Sequence, residues 1–171
     1  MLKQDEVKKA AKIMEADNLR FRSFLQSHAD EEELDKQFLA LHNELFSDYE
    51  CRNCRNCCKM YKGTFQEDEL EKATGYLNIT TNQLKDFFLE FNEIEYSYET
   101  KHSPCDFFEE NRECKLGDMK PENCKTYPYT NQPERLWSLY SVLNAVETCP
   151  VAFEIFERLK GIYGFTNRRG K

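Results

Sequence analysis

Long apolar runs are absent from this sequence. No segment of its 171 residues approaches the roughly eighteen consecutive apolar side chains that mark a membrane-spanning helix. Residues 1–6 lead straight into charged side chains rather than into the apolar core of a signal peptide. We therefore predict no membrane association and a location in the cytoplasm of a bacterial-type cell, where thiols stay reduced.

Positive charge is scarce as well. The chain has 24 Lys and Arg against 31 Asp and Glu, for a net charge of −7. Its only run of several basic residues is the tail at 168–171, which is most simply a solvated chain end. Because an acidic chain repels phosphate backbones, we predict that nucleic acid is not a partner. The composition does not indicate a particular protein partner or substrate.

Glycine and histidine are few, which limits the chemistry that the chain offers. The six glycines are scattered and form no G-x-G-x-x-G loop. His28 and His42 lie on predicted helices, where solvated or packing roles are expected. His102, three residues before Cys105, is the one extra candidate ligand, although a loop histidine is more often a surface group. The acids near the cysteines form no recognisable acid–base pair, so no catalytic residue is assigned.

Helical periodicity dominates the rest of the chain. Two apolar stripes precede the cysteine run, and Asp30 followed by three glutamates predicts the N-terminus of the second helix. These two helices should form an antiparallel pair. Two more helices lie near the C-terminus, the last with Pro150 at its first position. The four stripes are Val7, Ala10, Ala11, Met14, Phe21, Phe24 and Leu25; Leu34, Phe38, Leu41 and Leu45; Leu136, Leu139, Tyr140, Leu143 and Val146; and Val151, Ile155, Phe156 and Leu159.

The centre of the chain predicts shorter elements. Thr64 with Glu67 resembles a capping box, and Gly75 should end the helix that follows it. Thr80 with Gln83 resembles a second box, leading an apolar stripe of Leu84, Phe87, Phe88 and Phe91.

An irregular region follows at 98–133, punctuated by prolines. One small β-hairpin is expected there, with 107–108 facing 114–116 across 110–112. The predicted fold class is mainly α, a single helical domain over 1–171 with a cysteine-rich irregular centre. Its parts are a helical pair (1–48), a metal-binding region (49–151), and a C-terminal helix and tail (152–171).

The eight cysteines carry the functional information. Two-residue gaps let a short loop wrap several thiolates around one ion or cluster, as zinc knuckles and iron–sulfur loops both do. The run therefore predicts metal binding by the cysteines and leaves the choice between zinc and iron–sulfur open. The predicted metal ligands are Cys51, Cys54, Cys57, Cys58, Cys105, Cys114, Cys124 and Cys149.

Other roles for the cysteines explain the pattern less well. Adjacent Cys57 and Cys58 suit a cluster better than a disulfide framework, and the absence of an export signal argues against oxidation. A buried apolar cysteine would explain one of the downstream thiols, but it would not explain the run. A catalytic thiol with a histidine partner is a third hypothesis, and His102 is the only histidine that lies close to a cysteine in the sequence.

The number of thiols allows one metal site or two. Four thiolates complete a tetrahedral zinc site or a four-iron cluster, so eight suffice for two sites or for one site with spare thiols. Only one C-x2-C block exists, and the C-x2-C-x2-C run partly resembles the bacterial ferredoxin ligand run, in which the last ligand comes before a proline. Here the nearest Cys-Pro pair is remote from the run, at Cys149-Pro150. The single block favours an iron–sulfur cluster on Cys51, Cys54, Cys57 and Cys149. Zinc stays open, because the remaining cysteines could complete a second site.

The same segments resemble a known family. The run from Cys51 to Cys58 resembles the CxxCxxCC signature of the YkgJ-type cysteine-cluster proteins, described as zinc- or iron-chelating. Downstream, 104–108, 121–128 and 149–150 are similar to the family's Pro-Cys-x-Phe, Arg-Pro-Glu-x-Cys-Arg-x-Phe-Pro and Cys-Pro segments. The resemblance covers about residues 49–151. It departs from the family's pattern where arginine replaces a common glycine and lysine replaces arginine, at Arg55, Lys120 and Lys125.

The resemblance implies metal chelation and leaves the reaction open. The first hypothesis is an iron–sulfur protein, with a [4Fe–4S] cluster that serves electron transfer or a cluster-dependent reaction. The alternative is a structural zinc module that binds a partner without catalysis. A further alternative is a methyltransferase-like protein, because the flagellin lysine N-methylase shares the cysteine signature. Metal delivery or storage would also use such thiols.

Overall fold

The computed structural model of the chain describes residues 1–110 and 113–166. The fold is mainly α, as predicted, and it includes one small antiparallel sheet. In these residues, every helix is either too short or too polar to cross a membrane. The predicted solvated tail and the middle of the predicted 110–112 turn lie outside the described residues.

The elements follow one another as short and long helices around three strands. The helices are α1 (Val7–His28), α2 (Glu31–Phe46), α3 (Cys51–Cys54), α4 (Asn56–Met60), α5 (Glu67–Leu77), α6 (Thr81–Phe88), α7 (Glu122–Thr126), α8 (Leu139–Val146) and α9 (Pro150–Ile162), with a short 3-10 helix at Gly117–Met119. The strands are β1 (Thr64–Phe65), β2 (Leu89–Asn92) and β3 (Ser97–Thr100).

The chain forms two compact units. The first unit is Met1–Cys54 together with the chain from Pro128 onward, and the second unit is Arg55–Tyr127. The first unit therefore combines the two ends of the sequence, and the second unit is one continuous segment. The single domain predicted over 1–171 stays a prediction, because compactness alone does not tell whether a unit folds independently.

Local sequence signals set the helix starts of the first unit. The Asp30 side chain accepts a hydrogen bond from the N–H of Glu33 at 3.0 Å, which confirms the predicted cap of α2. At α9, Cys149 is the N-cap and Pro150 is the first helical residue, again as predicted. Proline fits there because the first N–H of a helix has no intrahelical partner.

Helix α9 is the centre of the first unit. Its residues Ile155, Phe156 and Leu159 have no solvent exposure, and the Phe156 ring meets Phe21 of α1 edge-on at 5.2 Å. Helix α9 packs against α1, α2 and α8. The predicted direct pairing of α1 with α2 is therefore not the main packing, because their apolar stripes both meet α9.

The second unit is built around the three-stranded sheet. Strand β3 is central and antiparallel to both β1 and β2. Tyr98 of β3 lies opposite Phe65 on one side and Phe91 on the other. The buried side chains of this unit are Phe65, Leu70, Ala73, Leu84, Leu89, Phe107 and Leu116.

The start and end of α5 differ from the prediction. Thr64 lies in β1, and the cap residue is Gln66, whose N–H donates to Glu69 Oε2 at 2.8 Å. The helix passes through Gly75 and ends at Leu77, and its C-cap is Asn78, which has a φ of 55°. Asparagine adopts this left-handed conformation at helix ends more readily than most residues, so glycine was not needed there.

The second predicted capping box is confirmed at α6. Thr80 N–H donates to Gln83 Oε1 at 2.9 Å, and Gln83 N–H donates to Thr80 Oγ1 at 3.2 Å. The predicted extension of this helix to Phe91 is wrong, because Phe91 lies in β2. The Asn92 side chain accepts from the N–H of Ile94 at 3.0 Å, so turn chemistry forms a β2–β3 hairpin that apolar spacing did not reveal.

The irregular region at 98–133 contains more structure than predicted. It holds the end of β3, the 3-10 helix and α7. At the expected small hairpin, Lys115 N–H donates to Phe107 O at 2.9 Å, so the two segments meet. Neither segment is a strand in its described residues, and 111–112 lie outside them.

Candidate metal centre

The eight cysteines all lie in described positions, and none of them forms a disulfide bond. Cys51 is exposed, Cys149 is buried, and the rest are half-buried. The two compact units divide the predicted ligands between them. The first unit contains Cys51, Cys54 and Cys149, and the second contains Cys57, Cys58, Cys105, Cys114 and Cys124.

The cysteine run is helical in two short pieces, whereas the sequence predicted irregular backbone. Cys51 and Cys54 begin and end α3, and Cys57 and Cys58 lie in α4. Arg55 separates the two pieces with a φ of 52°, a left-handed conformation that costs a side-chain-bearing residue about 1–2 kcal/mol. A glycine would adopt this conformation without that cost.

The three thiols of the first unit influence one another. The pKa of the Cys149 thiol is raised to about 12, mainly by burial and in smaller part by negative charge on Cys51 and Cys54. The N–H groups of Ala152 and Val151, in the first turn of α9, oppose this shift because they favour the thiolate. A cation among these thiols would offset the burial and the mutual repulsion.

Tyr49 lies beside the same three thiols. Burial raises the pKa of its phenol, and a hydrogen bond with Cys54 and the charges of Cys54, Cys149 and Cys51 raise the pKa further. The phenol therefore stays protonated and can donate to the Cys54 sulfur. Its ring packs edge-on against Phe46 at 6.0 Å.

Four thiols of the second unit form another group. Cys58, Cys105, Cys114 and Cys124 interact electrostatically in all six pairwise combinations. Burial raises the pKa of Cys105, Cys114 and Cys124, that of Cys124 to about 12. N–H groups two residues further along, those of Phe107 and Leu116, oppose the shifts at Cys105 and Cys114.

Cys58 differs from its three neighbours. The pKa of Cys58 is lowered to about 6, mainly by a hydrogen bond with Cys57 and against the effect of burial, with smaller contributions from Arg55 and from the positive charge of Lys120. The Arg55 guanidinium lies 4.8 Å from the centre of the Phe108 ring, and its Nη1 donates to Glu109 O at 2.9 Å. Its Nη2 is buried without a hydrogen-bond partner.

Gly63 lies directly against Cys124. A Cβ atom at Gly63 would lie 3.0 Å from Cys124 Sγ, a tighter contact than most Cβ atoms make, so the sulfur would have to shift by a few tenths of an ångström. The backbone there is held on both sides, since Gly63 N–H donates to Thr100 Oγ1 at 3.1 Å and Thr100 N–H donates to Gly63 O at 3.0 Å. Glycine at this position leaves room for the sulfur.

The histidines have partners outside the two groups of thiols. The exposed His102 pairs with Asp106 at 2.8 Å. His42 Nδ1 lies 2.8 Å from Thr130 Oγ1, and its ring packs against Phe46, in line with the expected packing role. His28 is exposed at the end of α1, as expected for a solvated residue.

The cysteine groups are defined by proximity and shared charge. Among the described side chains, no three Cys, His, Asp or Glu residues are arranged as a ready metal site. Binding of a metal would therefore require the sulfurs to move inward, to about 2.3 Å from a zinc ion. The donor types fit, because clustered thiols suit zinc and iron–sulfur clusters alike.

Sequence reasoning missed several residues around these thiols. It did not single out Tyr49 or Gly63, and it noted Arg55 and Lys120 only as departures from a family pattern. The left-handed backbone at Arg55 and the approach of Cys124 to Gly63 depend on contacts between distant segments. The one usable signal was the position of a glycine shortly after the cysteine run.

Comparison with known proteins identifies a family for this chain. The family model of the CxxCxxCC zinc- or iron-chelating domain matches residues 50–149, which include all eight cysteines. Among curated proteins and solved structures, nothing matches the chain.

Proposed function

The chain belongs to the CxxCxxCC family of zinc- or iron-chelating domains, and from this premise we propose that it carries a [4Fe–4S] cluster on Cys51, Cys54, Cys57 and Cys149. Metal chelation is the property of the family, and the cluster and its ligands are our proposal. When bound, such a cluster supplies one-electron chemistry or a Lewis-acidic iron.

The observation that carries the proposal is the position of Cys149. Its thiol is buried at the N-terminus of α9, where the N–H groups of Val151 and Ala152 favour negatively charged sulfur. Hydrogen bonds to sulfur and burial are two of the factors that tune the potential of an iron–sulfur cluster. A cysteine followed by proline at a helix start suits a cluster ligand on these grounds.

Cys51 and Cys54 supply two more thiols in the same unit. They are one helical turn apart in α3, and their charges reach Cys149. Tyr49 can donate a hydrogen bond to Cys54, which would hold that side chain in place. Cys57, three residues after Cys54, is the fourth ligand on the spacing of the motif alone.

A reducing compartment suits this proposal, because thiolates must stay reduced to bind iron. We place the protein in the cytoplasm and propose redox or cluster-dependent chemistry for it. Burial of Cys149 would keep solvent from one side of the cluster.

The test is the metal and sulfide content of the full chain, purified without oxygen. We expect a brown protein that contains about four iron and four sulfide ions per chain, as one [4Fe–4S] cluster requires. Cys51→Ser and Cys149→Ser should each lose most of the iron and the visible absorption. His102→Ala is the matched control and should keep both, because His102 pairs with Asp106.

Two outcomes would contradict the proposal. A colourless protein with zinc and no sulfide would exclude the cluster. Equal loss of iron in the three variants would show that the ligand assignment is wrong, since His102 would then matter as much as the cysteines.

A structural zinc module is the second candidate, and one observation favours it. The four mutually interacting thiols of the second unit equal the ligand set of a closed zinc site. This function needs no open coordination position on the metal and no substrate. Binding of a partner protein is the measurement that would detect it.

A further inference from the structure

We propose that Cys58, Cys105, Cys114 and Cys124 form a second metal site within the second unit, a closed four-thiolate site for one zinc-type divalent ion. The inference deepens the proposed function, because it assigns the thiols that the cluster does not use. The two proposals can be tested separately, because the cluster ligands and the zinc ligands have no cysteine in common.

The backbone of the second unit brings the segments of these cysteines together. Cys105 N–H donates to Cys58 O at 2.8 Å, which joins α4 to a segment nearly fifty residues further along the chain. Cys105 and Cys114 both pack against the buried core of the unit. Lys115 N–H donates to Phe107 O at 2.9 Å, so the backbone that follows Cys105 lies against the backbone that follows Cys114.

Cys124 approaches from another side. It lies in α7, where its N–H donates to Pro121 O at 3.0 Å. Its sulfur faces Gly63, the position at which a side chain would crowd it. Asn123 anchors the same helix to β1, because its side chain accepts from Thr64 N–H at 3.2 Å. Four segments that are distant in sequence thus contribute one sulfur each.

The four sulfurs lie close enough that charge on any one affects the other three. Repulsion among four such groups in a half-buried setting needs a cation to offset it. A divalent ion with four thiolates leaves a net charge of about −2 on the site.

Two cations lie where that charge would be. Arg55 and Lys120 each act electrostatically on Cys58 and Cys114, and Lys120 also acts on Cys124. The Arg55 side chain forms a hydrogen bond with Cys58, and its buried Nη2, which has no partner of its own, is a further donor for a thiolate. The N–H groups near Cys105 and Cys114, those of Phe107 and Leu116, supply two more donors to sulfur.

The experiment measures zinc, iron and sulfide together in the full chain, purified without oxygen from cells supplied with both metals. Cys114→Ser and Cys124→Ser are compared with Cys149→Ser as the matched control. We expect about one zinc per wild-type chain. The first two variants should lose that zinc and keep the visible absorption of the cluster, and Cys149→Ser should keep the zinc.

The outcomes separate the two assignments. A wild-type chain with one zinc that depends on Cys114 and Cys124, but with no iron, would support this site and contradict the cluster. A cluster without zinc would contradict this site alone. Loss of both metals from a folded Cys114→Ser variant would overturn the separation of the ligand sets.

Cobalt binding covers the case in which these variants do not fold. Co²⁺ added to the metal-depleted Cys149→Ser chain, which keeps the four thiols of the second unit and lacks one proposed cluster ligand, should give the intense visible bands and sulfur-to-cobalt charge-transfer absorption of a tetrahedral four-thiolate site. Arg55→Gln removes the buried donor and keeps the four sulfurs. It should weaken Co²⁺ binding about tenfold or more without changing the number of ions bound. Weak bands of higher coordination would overturn the proposal, as would unchanged affinity in Arg55→Gln together with no cobalt–sulfur absorption.

Discussion

Gly63 is a single residue on which the geometry of a thiol depends. A Cβ atom there would lie 3.0 Å from Cys124 Sγ, so Gly63→Ala should push the sulfur away from its neighbours. We expect about a tenfold loss of zinc affinity, as for other changes next to a ligand. Competition with a chromophoric chelator measures this loss.

The control for this substitution is Gly75→Ala. Gly75 lies inside α5, and no atom lies within 4 Å of an added Cβ. The change should stabilise the protein by about 0.5–1 kcal/mol and leave metal affinity unchanged, because alanine is the better helix former. Equal affinity for zinc in the two variants would contradict the role assigned to Gly63.

His42 makes stability depend on pH. Burial lowers the pKa of its imidazole, so the folded state resists a proton that the unfolded chain accepts near pH 6.5. The stabilising contribution of neutral His42 is therefore present above about pH 6.5 and is lost as the pH falls through the lowered pKa. Urea unfolding of wild type and His42→Gln at about pH 7.5 and about pH 5.5 measures the difference.

We expect the wild type to lose more stability than His42→Gln over this interval. His28→Gln is the matched control, since His28 is exposed at the end of α1. It should behave like the wild type. A His42→Gln variant with the full pH dependence would show that another group is responsible.

At the scale of elements, the start of α2 depends on one side chain. Asp30 accepts from Glu33 N–H at 3.0 Å, and the three acids of the first turn complement the helix dipole. Asp30→Ala should destabilise the protein by about 1 kcal/mol, whereas Asp30→Asn should cost less because asparagine also caps. Denaturant midpoints of the two variants measure the stability that each has lost. Equal losses of stability would show that the capping hydrogen bond does not contribute.

Prediction succeeded or failed element by element for identifiable reasons. Helices with a cap and a full apolar stripe, such as α2 and α9, were located correctly from the sequence. The β2–β3 hairpin was missed because Phe91 continues the helical spacing of α6. A short apolar run fits both periods, and the turn at Asn92 decided between them.

At the scale of the whole molecule, the two units differ in the interactions that stabilise each of them. The first unit has helices of 22, 16 and 13 residues and an apolar core around α9. The second unit has short elements and a small core, and four of its thiols interact with one another. Metal binding that forms with the fold adds directly to stability.

We therefore expect metal removal to affect the units unequally. In hydrogen exchange with mass spectrometry, the amides of α1, α2 and α9 should stay protected after chelation, and those of β1–β3 and α5 should lose most protection. Titration with zinc should restore the lost protection. Uniform loss across both units would contradict the greater dependence of the second unit on bound metal.

The sequence by itself determined the family, the eight candidate ligands and the main helices, because each of these depends on local spacing. Motif, capping residues and apolar stripes are properties of neighbouring positions along the chain. The tertiary structure alone decided the grouping of the thiols into three of the first unit and four of the second that interact with one another. That grouping depends on which distant segments pack together, as do the cations beside Cys58 and the space that Gly63 leaves for Cys124.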